Sequence, residues 1–340
     1  MTASLKILSA GPAMSLQDMG RSGYLAVGLT RGGAADTLAL HEGAALLEQS
    51  AELAAIEMMG MGGTFEPTEE IIIALTGAVM TATIGGAAVQ WNASHTVPAG
   101  AKLVIGGVKK GTYGYLHVAG GFGADIKLGA RGSHINAGIG GLLKDGDTLP
   151  VGQSKSARSG YFMTPSPRLN GGQVNVVHSV QSSEFSEETH QRFSDTQFRR
   201  DPRGNRQGVR MDADGDGFFA KDGLSIVSEV IVPGDIQITG DGAPYVLMCE
   251  SQTTGGYPRI GTVIPSDLPR VAQASVGAPL QFQFITEDEA IQLEQRARAH
   301  LKSLRGSAEP LVRDLRDIPD LLSYQLISGA VSAVADPFET

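Results

Sequence analysis

Short apolar runs, separated by glycines and polar residues, dominate the pattern of hydrophobic positions along the chain. Runs of this length, rich in β-branched and aromatic residues and bounded by turn-forming residues, are typical of β-strands. The pattern therefore predicts strands over residues 70–76, 102–105, 113–119, 174–177, 225–232, 245–249 and 280–285.

Two segments have a helical pattern instead. Residues 36–49 are rich in alanine and leucine, and Asp36 at their start favours a helix N-terminus. Residues 287–305 form the second predicted helix, because Thr286 and Glu289 have the spacing of a capping box. These helices are few beside the strands, so the pattern favours a mainly β fold with a few helices.

The composition between residues 152 and 172 changes to serine, proline and glycine, which is typical of a linker. Near the end of the chain a further helix is predicted over 311–328, although Pro319 interrupts it. We therefore expect an N-terminal β domain, a C-terminal β domain and a helical tail, which span residues 1–160, 161–295 and 296–340.

The composition agrees with this division. A chain of 340 residues that is 41% hydrophobic is long enough for two separate cores. Its 45 glycines and its low aromatic content of 6% favour short strands joined by many turns over a helical bundle.

The charge balance excludes several classes of function. A net charge of −9 gives no electrostatic reason to approach nucleic acid or an anionic membrane. The N-terminal residues lack the basic and apolar segments of a signal peptide, and no apolar run is long enough to span a bilayer. The expected location is therefore the cytoplasm.

No metal site is predicted. The single cysteine, Cys249, allows neither an internal disulfide nor a thiolate cluster, and the histidines show no H-E-x-x-H spacing. An acidic run from Asp212 begins like a calcium-binding EF-hand loop, but Gly223 occupies the twelfth position, where that loop needs glutamate.

Several loops combine glycines with polar side chains. In the first, Gln17, Asp18 and Arg21 surround two glycines and can offer an amide, a carboxylate and a guanidinium to one ligand. The alternative is an Asp18–Arg21 ion pair that only holds the turn. Small residues 32–35 then lead to Asp36, where a helix N-terminus can bind an anion or Asp36 can simply cap the helix.

A glycine-rich loop over residues 129–141 is the next candidate. It contains Arg131, Ser133 and His134, so it can surround an anion or a polar head group. The alternative is a mobile surface loop. His134 is not by itself a catalytic signal, because the sequence assigns it no acid partner.

Two arginines flank a glycine further along the chain. On a strand, Arg206 and Arg210 would lie on the same face, and Gly208 between them would leave a gap. Two guanidinium groups could then flank a substrate carboxylate or phosphate. Surface ion pairs with nearby acids are the alternative.

The last cluster follows the apolar run 245–249 and has the richest set of hydrogen-bonding groups: Gln252, Thr253, Thr254, Gly255, Gly256 and Tyr257. Polar side chains at a strand end, followed by two glycines whose N–H groups can converge, suit an oxyanion or phosphate. The tyrosine ring can stack on a planar ligand. The alternative is a polar turn between two strands.

These clusters occur in a fixed order with other short motifs, which are Gly11-Pro12, Glu57, Leu75-Thr76-Gly77-Ala78, Gly120-Gly121, Leu128-Gly129, Pro233-Gly234-x-Ile236-Gln237, Asp267-Leu268 and Ala272-Gln273. Together the motifs resemble the biotin-dependent carboxyltransferase-like family, once named allophanate hydrolase subunit 2. Within it the chain is most similar to the C subunit of prokaryotic 5-oxoprolinase. The resemblance covers roughly residues 5–295 and includes both predicted β domains.

The resemblance implies two cyclophilin-like β-barrel domains and a heteromeric complex with the B-like and A-like subunits of a 5-oxoprolinase. Such a complex uses ATP to hydrolyse 5-oxo-L-proline to L-glutamate, so the implied substrate is a small lactam or amide. One alternative is a carboxyltransferase subunit that accepts carboxyl groups from biotin carried on another chain. The other is a non-catalytic regulator that binds a kinase inhibitor.

The resemblance and the loop chemistry together give two sets of expected site residues. The expected catalytic residues are Arg206, Arg210, Gln252, Thr253 and Thr254. The expected substrate- or anion-binding residues are Gln17, Asp18, Arg21, Asp36, Arg131, Ser133, Gln237, Gly255, Gly256 and Tyr257.

The chain departs from the family pattern at three places, one of which is Leu142-Leu143-Lys144, where the usual arginine after the glycine-rich stretch is replaced. The usual Ser-Arg-Ser-Thr segment is Ala130-Arg131-Gly132-Ser133 here, and the usual Ser-Gly-Ala-Met-Asp turn is replaced over residues 32–36. No Met-Lys-Met biotinylation motif occurs, so biotin is not expected on this chain. These differences bear on the substrate more than on the fold.

Overall fold

The computed structural model describes residues 3–154, 157–221 and 226–312. The N-terminal strands are β1 (Ser4–Ser9), β2 (Met14–Gln17), β3 (Ala55–Met59), β4 (Thr64–Pro67), β5 (Ile71–Ile84), β6 (Ala87–Ala88), β7 (Ala93–Val97), β8 (Leu103–Val118), β9 (Thr148–Pro150) and β10 (Tyr161–Phe162). The C-terminal strands are β11 (Gly172–Val177), β12 (Phe198–Arg200), β13 (Gly208–Asp212), β14 (Glu229–Val230), β15 (Asp235–Ile238), β16 (Pro244–Leu247), β17 (Thr254–Gly255), β18 (Arg259–Val263), β19 (Pro279–Phe284) and β20 (Glu309–Pro310). The α-helices of the described residues are α1 (Thr37–Leu46), α2 (Glu187–Asp195), α3 (Leu268–Gln273) and α4 (Glu287–Ser303).

The predicted mainly β fold with a few helices is confirmed. Both helices with clear start signals are present: Asp36 accepts a hydrogen bond from Ala39 N at 3.2 Å, and Thr286 and Glu289 form the complete capping box. The described residues end at 312. Residues 313–328 of the predicted helix, and residues 313–340 of the predicted tail, therefore lie outside them.

Two short helices were missed by the sequence prediction. Helix α2 has only nine residues and is mostly polar, and α3 has six residues and contains Pro269 near its start. Neither helix has an apolar stripe long enough to be recognised in the sequence. Helices this short depend on tertiary packing for their stability more than on local preference.

The N-terminal strands form one antiparallel sheet, which has eleven strands among the described residues. Its longest pairing joins β5 to β8, and it buries side chains such as Leu5, Ile73 and Leu116 completely. Strand β20 also joins this sheet through β10, so a segment after α4 returns to the N-terminal half. The sequence did not predict that β20 joins this sheet, because a strand of two residues is too short to show an alternation of apolar and polar positions.

The C-terminal strands form a closed barrel in the order β11-β18-β15-β16-β13-β12-β19. Only the β11–β19 pairing within it is parallel. Four phenylalanines fill one part of its core, where Phe193 packs against Phe198, Phe218 and Phe282 at ring-centroid distances of 4.9–5.3 Å. The strands change from sheet to barrel between β10 and β11, which places the change inside the predicted linker at 152–172.

A buried charge network joins the two halves at the start of α1. The Asp36 carboxylate accepts hydrogen bonds from Arg168 Nε at 2.8 Å and from Gln273 Nε2 at 2.7 Å. Arg168 also makes a bidentate pair with Glu42 at 2.7 Å for both bonds. Because these groups belong to α1, the segment before β11 and α3, the network fixes the position of the loop that precedes α1.

His117 is a second buried polar group of this region. Its ring lies so close to Gly43 of α1 that a Cβ there would be 2.4 Å from the ring atoms, and its Nε2 is 2.8 Å from Thr76 Oγ1. Since the Thr76 hydroxyl also has Ala39 O as an acceptor at 3.0 Å, the neutral ring with Nε2–H donating to Thr76 satisfies both groups. Burial lowers the pKa of His117 to about 3.

No helix among residues 3–154, 157–221 and 226–312 combines the length and the apolar character needed to cross a membrane.

Replacing Arg168 is expected to destabilise the protein strongly. The change Arg168→Met leaves the carboxylates of Asp36 and Glu42 buried without their cation, and breaking such a pair costs about 3–5 kcal/mol. Urea unfolding followed by circular dichroism measures the loss. As a control, Arg199→Met removes an exposed pair with Asp214 and should leave the urea midpoint unchanged. Equal effects of both substitutions would contradict this role of Arg168.

Acid is expected to unfold the protein partly through His117. A histidine whose pKa is lowered by folding contributes stability that is complete above the unfolded pKa of about 6.5 and is lost as pH falls toward its folded pKa. The change His117→Gln should therefore flatten the fall of the unfolding free energy between pH 6.5 and about 3. Urea titrations at several pH values test this, with the exposed His300→Gln as control. An unchanged slope in the His117 variant would argue against it.

Candidate anion-binding site at the junction of the two halves

Three of the polar loops predicted from the sequence meet where the sheet faces the barrel. Ser133 N donates to Leu16 O at 2.8 Å, which joins the glycine-rich loop to the end of β2. Gly32 N donates to Cys249 O at 3.0 Å, and Thr30 Oγ1 donates to Ser251 O at 3.0 Å. These bonds bring the segment before α1 against the segment that follows β16.

Asp18 holds the first two loops together. Its carboxylate accepts from Gly20 N at 2.9 Å and from Arg131 N at 2.6 Å, and it is only 6% exposed. Gly132 has to be a glycine, because a Cβ there would be 2.6 Å from Asp18 Oδ1. The Asp18–Arg21 ion pair considered from the sequence is absent from the described residues, since backbone N–H groups occupy the carboxylate instead.

Arg21 is a buried cation without a carboxylate partner among the described residues. Its side chain is 2% exposed, and only Nη2 has a partner, the carbonyl of Gly132. The Nε and Nη1 atoms have none, and Nη1 is 3.2 Å from the position of a Cβ on Gly32. A buried, unpaired guanidinium costs several kcal/mol, so this group is suited to an anionic ligand that completes its hydrogen bonds.

His134 lies beside the Glu250 carboxylate without a hydrogen bond to it. Its Nδ1 is 3.8 Å from the Glu250 carboxylate and accepts from Ala137 N at 3.3 Å. Its Nε2 is 3.0 Å from Thr30 Oγ1, whose own proton goes to Ser251 O. The ring is therefore neutral, with its proton on Nε2. Burial lowers the pKa of His134 more than Glu250 raises it, which keeps the ring neutral near pH 7.

Arg206 connects the two halves at this junction. Its Nε donates to Glu250 at 2.7 Å, Nη1 donates to Glu57 of β3, and Nη2 donates to Gly33 O at 2.5 Å. Burial opposes the charge, but Cys249, Glu57 and Glu250 together raise the pKa of Arg206 well above its usual value. The guanidinium is thus permanently charged. Through Gly33 O it holds the backbone of residues 32–35, which we call the glycine segment.

Glu57 extends this network into the sheet. Its second carboxylate oxygen accepts from Ala35 N at 2.8 Å and from the Tyr115 hydroxyl at 2.7 Å, and that hydroxyl accepts from Asp36 N at 2.9 Å. Burial, with the nearby carboxylates of Glu57 and Asp36, raises the pKa of Tyr115. Asp36, one of the expected ligand-binding residues, is fully buried and engaged by Arg168 and α3, so no face of its side chain is exposed.

The structure does not bring Arg206 and Arg210 together. Arg206 precedes β13, so the strand alternation that would place both arginines on one face does not apply. Arg210 pairs instead with Asp241 at 2.7 Å. The expected gap at Gly208 is filled, because a Cβ there would be 2.2 Å from the Tyr245 ring. The predicted arrangement, in which both guanidinium groups flank one carboxylate or phosphate, is therefore wrong. A catalytic role for either residue stays a prediction.

The glycines after β16 do not form the predicted backbone nest. Gly255 lies in β17 and pairs with Glu229 of β14, and neither Gly255 nor Gly256 has a positive φ. A Cβ on Gly255 would be 2.4 Å from Gln237 Nε2, a buried atom without a partner among the described residues. The glycine therefore makes room for the Gln237 side chain and not for a converging pair of N–H groups.

The other expected residues of this segment vary in exposure. The side chains of Gln252, Thr254 and Tyr257 are exposed. Thr253 faces the first loop, with Oγ1 3.9 Å from the position of a Cβ on Gly28. Ser251 begins this polar segment, and its hydroxyl is buried and has no partner among the described residues.

Three expected residues lie at the edge of this arrangement. Gln17 is fully buried, donates to Ser15 Oγ at 2.9 Å and leaves its Oε1 without a partner among the described residues. Arg131 is half-buried and donates to Ala124 O at 3.1 Å, and Ser133 donates to Gly141 O at 3.0 Å. Arg131 and Ser133 also line a cavity of about 290 Å³ beside the glycine-rich loop.

The arrangement can therefore hold an anion more readily than it can activate a nucleophile. The unpaired N–H groups of Arg21 are donors, Ser251 adds a hydroxyl, and His134 is already engaged by its neighbours. Across the described ranges, no group of three or more acidic, histidine or cysteine side chains is arranged to hold a metal ion. Sequence reasoning missed Thr30, since only its contacts with His134 and Ser251 give it a role.

Comparison with known proteins decides the family. A model of the carboxyltransferase domain, subdomain A and B, matches residues 27–284. The chain belongs to this family. Carboxyltransferase-domain proteins similar to it include the 5-oxoprolinase C subunit of Escherichia coli, which is 32% identical over 304 residues that cover 88% of this chain and 97% of that protein. The 5-oxoprolinase C subunit of Haemophilus influenzae is 30% identical over 308 residues, with 88% and 97% covered.

Larger carboxyltransferase-domain proteins share the fold. The solved urea amidolyase of Kluyveromyces lactis superposes with a TM-score of 0.79 at 23% identity, covering 92% of this chain and 20% of that chain. The urea carboxylase of the same organism superposes with a TM-score of 0.78 at 23% identity, covering 94% of this chain and 30% of that one. This chain thus corresponds to one part of each of these longer proteins.

The glycine segment of the site is expected to tolerate no side chain at Gly33. Its φ is +79°, and a Cβ would lie 2.7–2.9 Å from backbone atoms of Gly20, Asp18 and Met19. Gly33→Ala should destabilise the protein by more than the roughly 1–2 kcal/mol that a left-handed alanine costs elsewhere. The matched control is Gly23→Ala, which has φ +93° but no atom within 4 Å. Equal urea midpoints for the two variants would contradict the close approach.

Proposed function

We propose that this chain is the C subunit of an ATP-dependent 5-oxoprolinase complex that hydrolyses 5-oxo-L-proline to L-glutamate. It acts with the B-like and A-like subunits of that complex, in the cytoplasm. Its carboxyltransferase fold and its similarity to two 5-oxoprolinase C subunits over 97% of their length support this assignment.

The structural observation that carries the proposal is the unpaired guanidinium of Arg21. Its Nε and Nη1 groups are buried without a partner among the described residues, and Nη1 is 3.2 Å from the position of a Cβ on Gly32. A planar carboxylate matches two N–H groups of a guanidinium with short, charge-assisted hydrogen bonds. 5-Oxoproline has one carboxylate, so we assign that group to Arg21.

The remaining chemistry explains the need for ATP. The carbonyl of a lactam is a poor electrophile, and phosphorylation of its oxygen gives water a carbon that it can attack. When bound, ATP supplies that phosphoryl group. This chain has no G-x-x-x-x-G-K-[ST] loop, so we assign the nucleotide to the assembled complex.

A second function is favoured by the longer relatives. The urea amidolyase of Saccharomyces cerevisiae is 24% identical over 345 residues, covering 95% of this chain and 19% of that protein. In that case the chain would accept carboxyl groups from biotin on another protein, because it has no Met-Lys-Met motif of its own. The third possibility raised by the sequence, a regulator of a kinase inhibitor, gains no support from these relatives.

One experiment separates the candidate functions. The chain is co-expressed and purified with the B-like and A-like proteins encoded beside it, and glutamate release from 5-oxoproline is measured with and without ATP. ATP-dependent glutamate release is expected. An intact complex that releases no glutamate, but transfers labelled carboxylate from carboxybiotin to an amide, would replace the first proposal by the second.

Arg21 is expected to bind substrate without stabilising the free protein. Hydrogen bonds to charged groups contribute about 1.5–3 kcal/mol, so Arg21→Gln should raise KM for 5-oxoproline by roughly 10- to 100-fold. Because the buried charge is unpaired in the free protein, the unfolding midpoint should be retained or raised.

The control for this test is Arg199→Gln on the exposed surface, which should leave both KM and the unfolding midpoint unchanged. A KM for the Arg21 variant equal to that of the native complex would remove Arg21 from the substrate site. An unfolding midpoint that falls sharply would show a structural role instead.

A further inference from the structure

The largest cavity described in the protein lies between the two halves and α4, and its volume is about 700 Å³. Its walls come from the loop before α1, from α1, from the segment around α3, and from one face of α4. Most lining side chains are apolar, including Leu38, Leu268, Leu293, Ala297 and Leu301. The volume lies within the range of roughly 300–1,000 Å³ that is typical of small-molecule sites.

Water alone fits this cavity poorly. At about 30 Å³ per molecule in the liquid, the cavity has room for roughly 20 waters, and each needs two to four polar partners. The aliphatic walls supply few such partners. A ligand with a substantial apolar part would replace this water and cover the exposed apolar surface.

Two acids and two arginines line the cavity, and they differ in whether other residues bind their side chains. Of the two acids, Glu294 accepts from Ser266 N at 2.7 Å and Asp267 accepts from Asn175 N at 2.7 Å. The two arginines, Arg31 and Arg298, are exposed and form no ion pair with any other described residue. Both carboxylates keep their negative charge with one oxygen engaged, whereas the two arginines still have guanidinium donors without a partner among the described residues.

We propose that this cavity binds a linear monocarboxylic acid, with the alkyl chain against the aliphatic walls and the carboxylate at Arg31 and Arg298. The cavity and the candidate anion site are adjacent, because Gly32 lines the cavity and also approaches Arg21. The two ligands differ in class, because Arg21 is assigned a small carboxylate, whereas this cavity of about 700 Å³ is much larger than 5-oxoproline requires. The proposal does not depend on the oxoprolinase activity.

Cys249 provides a direct reporter of occupancy. It is the single cysteine of the chain, and it lines the cavity. Burial raises the pKa of its thiol to about 11, so alkylation by N-ethylmaleimide is expected to be slow and easily timed by mass spectrometry. A ligand in the cavity should slow the alkylation further, because it blocks access to the thiol.

The test uses decanoate as the probe on the full-length protein, with calorimetric titration and the rate of Cys249 alkylation as readouts. Saturable decanoate binding that protects Cys249 is expected. Ala297→Phe fills the cavity and should weaken binding at least about tenfold. Ala299→Phe changes an exposed position of the same helix and should bind decanoate like the native protein.

The charge is tested separately. Arg298→Gln should weaken decanoate binding by about two- to fivefold, as expected for a solvent-exposed ion pair, and should not affect binding of decanol. Arg296→Gln, an exposed arginine of α4 outside the cavity, is the matched control. Absence of saturable decanoate binding, or binding without protection of Cys249, would overturn the proposal. Equal binding of decanoate and decanol would overturn the role of the arginines.

Discussion

The position of Arg206 is the constraint on which the junction of the two halves depends. One guanidinium pairs with Glu57 of the sheet, with Glu250 after a barrel strand, and with the carbonyl of Gly33. Because this cation is buried with two carboxylates, separating the halves would break its pair with Glu57 and its bond to Gly33 O, and only its pair with Glu250 would remain. The same contacts fix the glycine segment against which Arg21 lies, so the geometry of the candidate site follows from this pairing.

The buried charges of this protein fall into two kinds with different consequences. Arg168 is fully engaged by Asp36 and Glu42, so its charge is used to hold α1 and the two halves together. Arg21 has a carbonyl as its only partner among the described residues, and two of its nitrogens are left over. A protein retains such an unsatisfied cation at a cost in stability, and ligand binding is the usual compensation. Arg200 is also buried with Nε and Nη2 unpartnered among the described residues, so Arg21 is distinguished by its position between the glycine-rich loop, through Gly132 O, and Gly32.

Membership of the carboxyltransferase-domain family gives the fold and narrows the chemistry, and the site then favours one substrate class. The C subunits of 5-oxoprolinase match this chain over nearly their whole length, whereas the urea amidolyase of yeast matches it over 19% of its own length. In our proposal the two unpartnered nitrogens of Arg21 hold the substrate carboxylate, and His134 is already engaged, since its Nδ1 accepts from Ala137 N and its Nε2 contacts Thr30. Activation of the substrate therefore belongs with ATP and the other proteins of the complex in our proposal.

The sequence by itself determined the mainly β fold and both capped helices, because strand alternation and capping are local properties that neighbouring residues encode. It also determined the family, because a set of motifs in a fixed order can be recognised without knowing the structure. Only the tertiary structure decided which polar residues meet. Asp18 accepts from backbone N–H groups, Tyr245 fills the gap at Gly208, and Glu250 pairs with Arg206. Each of these contacts joins residues far apart in the chain, so no local pattern could have specified them.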